Sequence, residues 1–268
     1  MSAGKKLGAI SFLNAEPLVR PLEDGTIKHG HSLVRAVPSE LAAMLVRGEL
    51  DCALAPVAVL LDRPDFIPIP DVAIASRGAV ASVLVFHNTP FEDLDTIWLD
   101  PVSRTSNLLV RILVDRWSSA RCRFVLPDGD EAPPVERLPA RTGRLVIGDQ
   151  ALALGRRIPP PAPCTDLGEL WREKTNHPFT FARWIATDGD TAAELKDMTR
   201  EARDWSLLHL HELIGPLAGK YGFPPELVDR YLRTNITYMH GPREQAGERE
   251  FFLLAKKLLK SQETPADV

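Results

Sequence analysis

Four short stretches place hydrogen-bonding side chains where a strand should end and a helix begin. They are Asn14 in "GAISFLNAEPL", Pro38-Ser39, Ser103-Arg104-Thr105-Ser106, and Gly148-Asp149-Gln150. In open α/β sheets, ligands gather outside the carboxyl ends of the strands. Helix starts there bring free N–H groups and a positive dipole end, which suit an anion. Taken singly, each stretch needs to be nothing more than a helix cap. "SRTSN" supplies four side-chain hydrogen-bond formers and an Arg, more than a cap requires, and so points to ligand binding. Asn14 is polar within an otherwise apolar run and demands its own explanation.

Other chemistry finds little support. His209 and His211 in "HLHE" lie at i and i+2, roughly 200° apart around a helix, and cannot chelate one ion together. His29 and His31 in "KHGH" have no acidic or Cys neighbour nearby in sequence, and both read as solvated. No P-loop, GxGxxG, HExxH or GxSxG is present, and no metal or other cofactor is expected. The three cysteines, Cys52, Cys122 and Cys164, are odd in number and lack CxxC spacing, so reduced thiols are expected. The start "MSAGKKLGAISFLNAEPL" has no apolar stretch long enough for an export signal or a membrane span, so a cytoplasmic location is expected. A net charge of −4 argues against nucleic-acid or anionic-membrane partners. No signature of an oligomeric state is visible.

The elements that would carry the polar turns alternate. "KLGAIS", "HSLVRAV" and "DCALAPV" read as strands. Between the first two, "AEPLVRPL" is expected as a short helix that Pro21 ends or kinks. Between the next two, Ser39 is expected to cap a helix with Leu41, Met44 and Leu45 on one face. "SVLVF", "DTIWLD", "RLVIGD" and "FTFARWIAT" are further strands, and "SRTSNLLVRILVDRW" and "DQALALGRR" are helices. From Thr191, read as the cap of a capping box with Glu194, the chain turns helical: a long helix to about Ile214, then "PPELVDRYLRT", then "GEREFFLLAKKLLK". The tail "SQETPADV" is expected to be disordered. Alternating strands and helices imply an α/β protein with mostly parallel sheets. At 268 residues, 44% of them hydrophobic, there is enough for one large domain or two lobes.

In order along the chain, "GAISFLNAEPL", "GELDCALAPV", "SVLVF", "SRTSNLLVRIL", "VIGDQAL" and "DLGELWREKTNHPFTFARW" resemble the chorismate dehydratases of menaquinone biosynthesis by the futalosine route, and "YLRTNITYMHG" echoes their later helices. The "FLNAEPL" motif and the "SRTS…GDQAL" pair are its specific parts. The resemblance implies a two-lobed type II periplasmic-binding-protein-like fold with a ligand cleft between lobes. Residues 1–86 and 188–268 would form one lobe and 87–187 the other, with crossings near Phe86–Pro90 and Ala186–Asp188. Where the family carries Thr-Gly-Leu-Pro-Phe, this chain has Thr175-Asn176-His177-Pro178-Phe179, which changes the allowed backbone and puts a histidine near the cleft. His87-Asn88 at the first crossing is another departure.

The implied reaction removes water from chorismate, a dianion, to give 3-[(1-carboxyvinyl)oxy]benzoate. Aromatisation drives it, so the protein's task is to hold two carboxylates and assist proton transfer. The resemblance makes Asn14 the catalytic residue: its amide can donate to a leaving hydroxyl or a carboxylate but is not appreciably basic. The base is then either Asp149, whose charge is costly beside a dianion, or a substrate carboxylate. Ser39, Ser82, Ser103, Arg104, Thr105, Ser106, Gly148 and Asp149 are the expected substrate-binding residues. Two other readings stay open: the 1,4-dihydroxy-6-naphthoate synthase of the same pathway, whose N-terminal motif "SFLNAEPL" fits poorly, and a non-catalytic binding protein for a small carboxylate.

Overall fold

The computed structural model describes residues 4–118, 121–128, 132–157 and 159–263. Its strands are β1 (Lys6–Ile10), β2 (Ser32–Ala36), β3 (Cys52–Pro56), β4 (Ile67–Ser76), β5 (Val83–His87), β6 (Thr96–Trp98), β7 (Arg123–Val125), β8 (Thr142–Ile147), β9 (Cys164–Asp166), β10 (Phe179–Ala186) and β11 (Thr237–His240). Its helices are α1 (Glu16–Glu23), α2 (Pro38–Val46), α3 (Val59–Asp62), α4 (Arg104–Trp117), α5 (Gly148–Gly155), α6 (Leu167–Thr175), α7 (Gly189–Leu208), α8 (Leu210–Tyr221), α9 (Pro225–Arg230) and α10 (Pro242–Glu263). A six-stranded sheet has the order β11-β4-β10-β3-β1-β2, and a five-stranded sheet the order β7-β6-β8-β5-β9.

Both sheets are mixed rather than mostly parallel. The βαβ parts are parallel, β3-β1-β2 and β7-β6-β8. The strands that leave or re-enter a sheet at the crossings, together with β9 and β11, pair antiparallel. Strand pairing also moves the crossings. β5 already belongs to the second sheet and β10 to the first, so the changeovers run through 77–82 and 176–178. "SVLVF" carries no mark of its sheet: every residue of β5 is buried, and its apolar run Val83–Phe86 suits either sheet.

Several helix boundaries also differ from expectation. α1 runs through Pro21 to Glu23; the proline sits in the last turn, where its missing N–H removes a single ladder bond. α2 starts at Pro38 with Val37 as cap, and Ser39 caps nothing, because the fixed φ of proline suits the first helical position. For α7 the cap is Asp188, whose carboxylate accepts the Thr191 N–H and hydroxyl. The expected long helix breaks at His209 into α7 and α8. α10 extends to Glu263, and residues 264–268 lie outside the described residues. Cys52, Cys122 and Cys164 are free thiols. Asn176 takes the left-handed conformation at the end of α6, φ 60°, the place a glycine commonly fills. His177 packs beside Gly247 of α10. His87 is buried at the far end of β5 against Thr165.

Candidate active site

The turns at the carboxyl ends of the parallel strands meet between the two sheets. After β1, Asn14 lies in the single 3-10 turn Leu13–Ala15. After β6, Ser103 caps α4 by accepting the Ser106 N–H, and Thr105 and Ser106 follow within the first turn. After β8 comes Gly148, the first residue of α5. Ser82 ends the first crossing, and its carbonyl accepts the Gly148 N–H at 2.8 Å. Gly148 has φ +63°, and a Cβ there would stand 3.0 Å from the ring of Phe12, so both backbone and space require glycine.

These residues line a small cavity of about 50 Å³. Asn14, Ser82, Ser103, Thr105, Ser106 and Gly148 line it, together with Pro38 at the start of α2 and the rings of Phe12 and Phe181. No charged side chain is among its lining residues. Positive potential must therefore come from the N-termini of α2, α4 and α5, each worth about 0.3–1 kcal/mol toward an anion and more when desolvated. The polar walls are deeply placed: Ser82 is 1% exposed and Thr105 and Ser106 3%.

Three expected residues stand outside the cavity. Ser39 gives its backbone N–H to the Val102 carbonyl. Arg104 turns outward to pair with Asp62, so its guanidinium does not face the site. Asp149 lines a neighbouring cavity and accepts the Leu13 N–H at 3.0 Å through Oδ1. Burial pushes its carboxyl up to about 6; the Leu13 N–H opposes the rise and the negative charge of Glu16 adds to it. The Leu13–Asp149, Ser39–Val102 and Arg104–Asp62 contacts run from one sheet's side to the other, as does the Ala58 N–H donated to Thr105 Oγ1 at 3.2 Å. The cleft is closed by direct contacts.

Two groups escaped the sequence reading. Glu16, wholly buried two residues beyond Asn14, accepts from Arg35 Nη1 and Lys220 Nζ, both at 2.8 Å, and from the Tyr221 hydroxyl. Burial would raise its carboxyl, but the hydrogen bonds from Lys220 and Tyr221 and the charges of Arg35 and Lys220 hold it below the usual value. It ties the Asn14 turn to β2 and α8. The other is Tyr231, buried beside Ser82 with its hydroxyl donating to Oγ at 2.8 Å. Glu16 stands in "FLNAEPL" and Tyr231 in "YLRTNITYMHG", but neither fragment says which way its side chain points.

A sequence profile described as menaquinone biosynthesis matches residues 5–257. The chain belongs to this family. A chorismate dehydratase of Thermus thermophilus is 30% identical over 261 residues, covering 91% of this chain and 93% of that protein. Among solved structures, protein AF1704 of Archaeoglobus fulgidus superposes with a TM-score of 0.75 at 13% identity, over 96% of this chain and 98% of the other. The periplasmic aliphatic sulphonate binding protein SsuA of Escherichia coli does so with a TM-score of 0.63 at 15% identity, over 100% and 96%. The fold of this family member is thus that of two-lobed periplasmic-binding proteins. Among the described residues, no helix is long and apolar enough to cross a membrane, and no group of three or more His, Cys, Asp or Glu is placed to hold a metal ion.

Proposed function

We propose that the protein is a chorismate dehydratase, converting chorismate to 3-[(1-carboxyvinyl)oxy]benzoate and water in menaquinone biosynthesis by the futalosine route. The observation that carries this reading is the match of nearly the whole chain to a chorismate dehydratase, within a family of menaquinone biosynthesis. The cavity is compatible with it. The ring C–H beside the ether oxygen breaks and its electron pair becomes a ring π bond. The neighbouring hydroxyl leaves with its C–O pair and takes up a proton as water. Hydroxyl and amide donors, with helix N-termini, hold the two carboxylates, and aromatic walls flank the ring.

The base is best read as a substrate carboxylate. Asp149 is the alternative, but its Oδ1 is engaged by Leu13 and its side chain is outside the cavity. Its role in this reading is to hold the Asn14 turn. Incubation with chorismate tests the function, with the expected outcome an aromatic product lighter by one water. Tight chorismate binding without turnover would favour a binding protein, and turnover of a later pathway intermediate in place of chorismate would favour the sister synthase.

A further inference from the structure

The turn after β3 leaves a backbone donor at the cleft. Leu60 and Leu61 give their N–H groups to the Val57 and Ala58 carbonyls as α3 begins. The N–H groups that open a helix have no partner within it. The Ala58 N–H finds one outside, on Thr105 Oγ1 at 3.2 Å. Ala58 is 5% exposed and Thr105 3%, so the bond is shielded from water. It also crosses the cleft. α3 follows β3 of the first sheet, whereas Thr105 lies in the first turn of α4, which follows β6 of the second.

Hydrogen-bond accounting gives this bond a consequence. A threonine hydroxyl has one proton to donate and lone pairs that accept. The Ala58 N–H occupies the accepting side of Thr105 Oγ1, which donates to no protein group among the described residues. Its proton is left for the cavity that Thr105 lines. Two other hydroxyls lining that cavity have the same polarity. Ser103 Oγ accepts the Ser106 N–H at 3.2 Å. Ser82 Oγ accepts at 2.8 Å from the hydroxyl of Tyr231, the first residue of the π-helical turn Tyr231–Asn235. A cluster of hydroxyls with protons to spare suits an ionised carboxylate, which only accepts. Bonds in such a chain also polarise one another. We propose that the Ala58 N–H and the Thr105 hydroxyl form a hydrogen-bond relay to one substrate carboxylate. Thr105 is then a specificity-determining residue, and the Ala58 amide is the group that sets it as a donor. The proposal rests on the chorismate dehydratase reading. It makes recognition of that carboxylate depend on both sides of the cleft at once.

The test compares Thr105→Val, which keeps the shape and removes the hydroxyl, with Thr105→Ser, which keeps the hydroxyl. Parent enzyme turning over chorismate is the control that keeps the two readings apart: an inactive parent overturns the dehydratase reading, and with it this proposal. With an active parent, calorimetry gives the affinity for the product and for two truncated forms of it. These are phenoxyacrylate, which lacks the ring carboxylate, and vinyloxybenzoate, which lacks the other. Thr105→Val should bind product on the order of 10–100-fold more weakly, as for a lost hydrogen bond to a charged group, and Thr105→Ser should bind it as the parent does. The valine penalty should vanish for the truncated form without the partnered carboxylate and persist for the other. The relay itself is read at the Ala58 amide proton, by isotope labelling of the Val57–Ala58 peptide. Product should move that proton downfield in the parent and in Thr105→Ser, and not in Thr105→Val. Unchanged affinity in Thr105→Val, a Thr105→Ser as weak as Thr105→Val, equal penalties for the two truncated forms, or an Ala58 proton unmoved by product in the parent each overturns the proposal. The parent spectrum needs no variant, so it decides the matter even if Thr105→Val does not fold.

Discussion

The Leu13 N–H and the Asp149 carboxylate meet at 3.0 Å across the cleft, one from the turn after β1 and the other from the first turn of α5. The bond holds the residue next to Asn14 against the opposite sheet. It also spends on structure a carboxylate that would otherwise be the nearest candidate base.

Asp149→Asn separates those roles. Asparagine still offers an oxygen to Leu13, so turnover should persist, reduced by about tenfold or less. A collapse of kcat with substrate affinity retained would make Asp149 the base. The carboxyl is raised to about 6 by burial, so between its unfolded value near 3.8 and about 6 the folded state binds more protons than the unfolded. Its contribution to stability is therefore largest below the unfolded value and falls as pH rises to about 6. The melting temperature of the parent relative to Asp149→Asn should decline across that window. A flat difference would mean that Asp149 does not titrate there.

Asn14→Ala should leave the fold intact, since only an amide is removed from a turn held by Leu13 and Glu16. Turnover should fall about 10²-fold or more while binding weakens far less, as for loss of an oxyanion-hole donor. Steady-state kinetics on a variant with parental circular dichroism checks this; near-normal kcat would remove Asn14 from the mechanism.

Glu16→Gln keeps the shape and removes the charge that Arg35 and Lys220 share. Glu16 is fully buried but Lys220 is half-exposed, so the loss should fall at the low end of the roughly 3–5 kcal/mol typical of a broken buried pair. The parent's carboxyl is held below its usual value, so its contribution is present above the unfolded value near 4.5 and is lost as pH falls through the lower folded value. Urea denaturation at pH 7 measures the loss, and a change within about 0.5 kcal/mol would contradict a supporting role for Glu16.

The strand-to-helix turns were legible because their chemistry is local. Gly148 is required by its own φ and by a neighbouring ring, and Ser103 caps the helix it starts. What stayed hidden depends on direction. "SRTSN" shows an arginine beside three hydroxyls, yet α4 turns Arg104 out to Asp62 while Thr105 and Ser106 face in. The sheet to which β5 belongs follows from long-range pairing with β8 and β9, which no local pattern encodes. Tyr231 reaches the site only because the π turn brings the C-terminal segment back over the crossing, 149 residues from its partner Ser82.

The closed cleft leads to a last expectation. Ser82, Thr105 and Ser106 are almost inaccessible, and the bonds from Leu13 to Asp149 and Ala58 to Thr105 seal the two sides together. A ligand can reach them only if the sides part, and the segments 77–82 and 176–178 are where the backbone must turn. Product retains both carboxylates and should restore the closed form. At 100 times its dissociation constant it should add about 2.7 kcal/mol of stability, a melting shift of roughly 5–10 °C for a chain of this size. Its affinity should weaken as salt rises, modestly, because dipoles rather than charged side chains face it. Small-angle scattering should then give a smaller radius of gyration with product than without. An unchanged radius alongside a clear melting shift would mean that the free protein holds the same contacts and admits its ligand without parting the lobes.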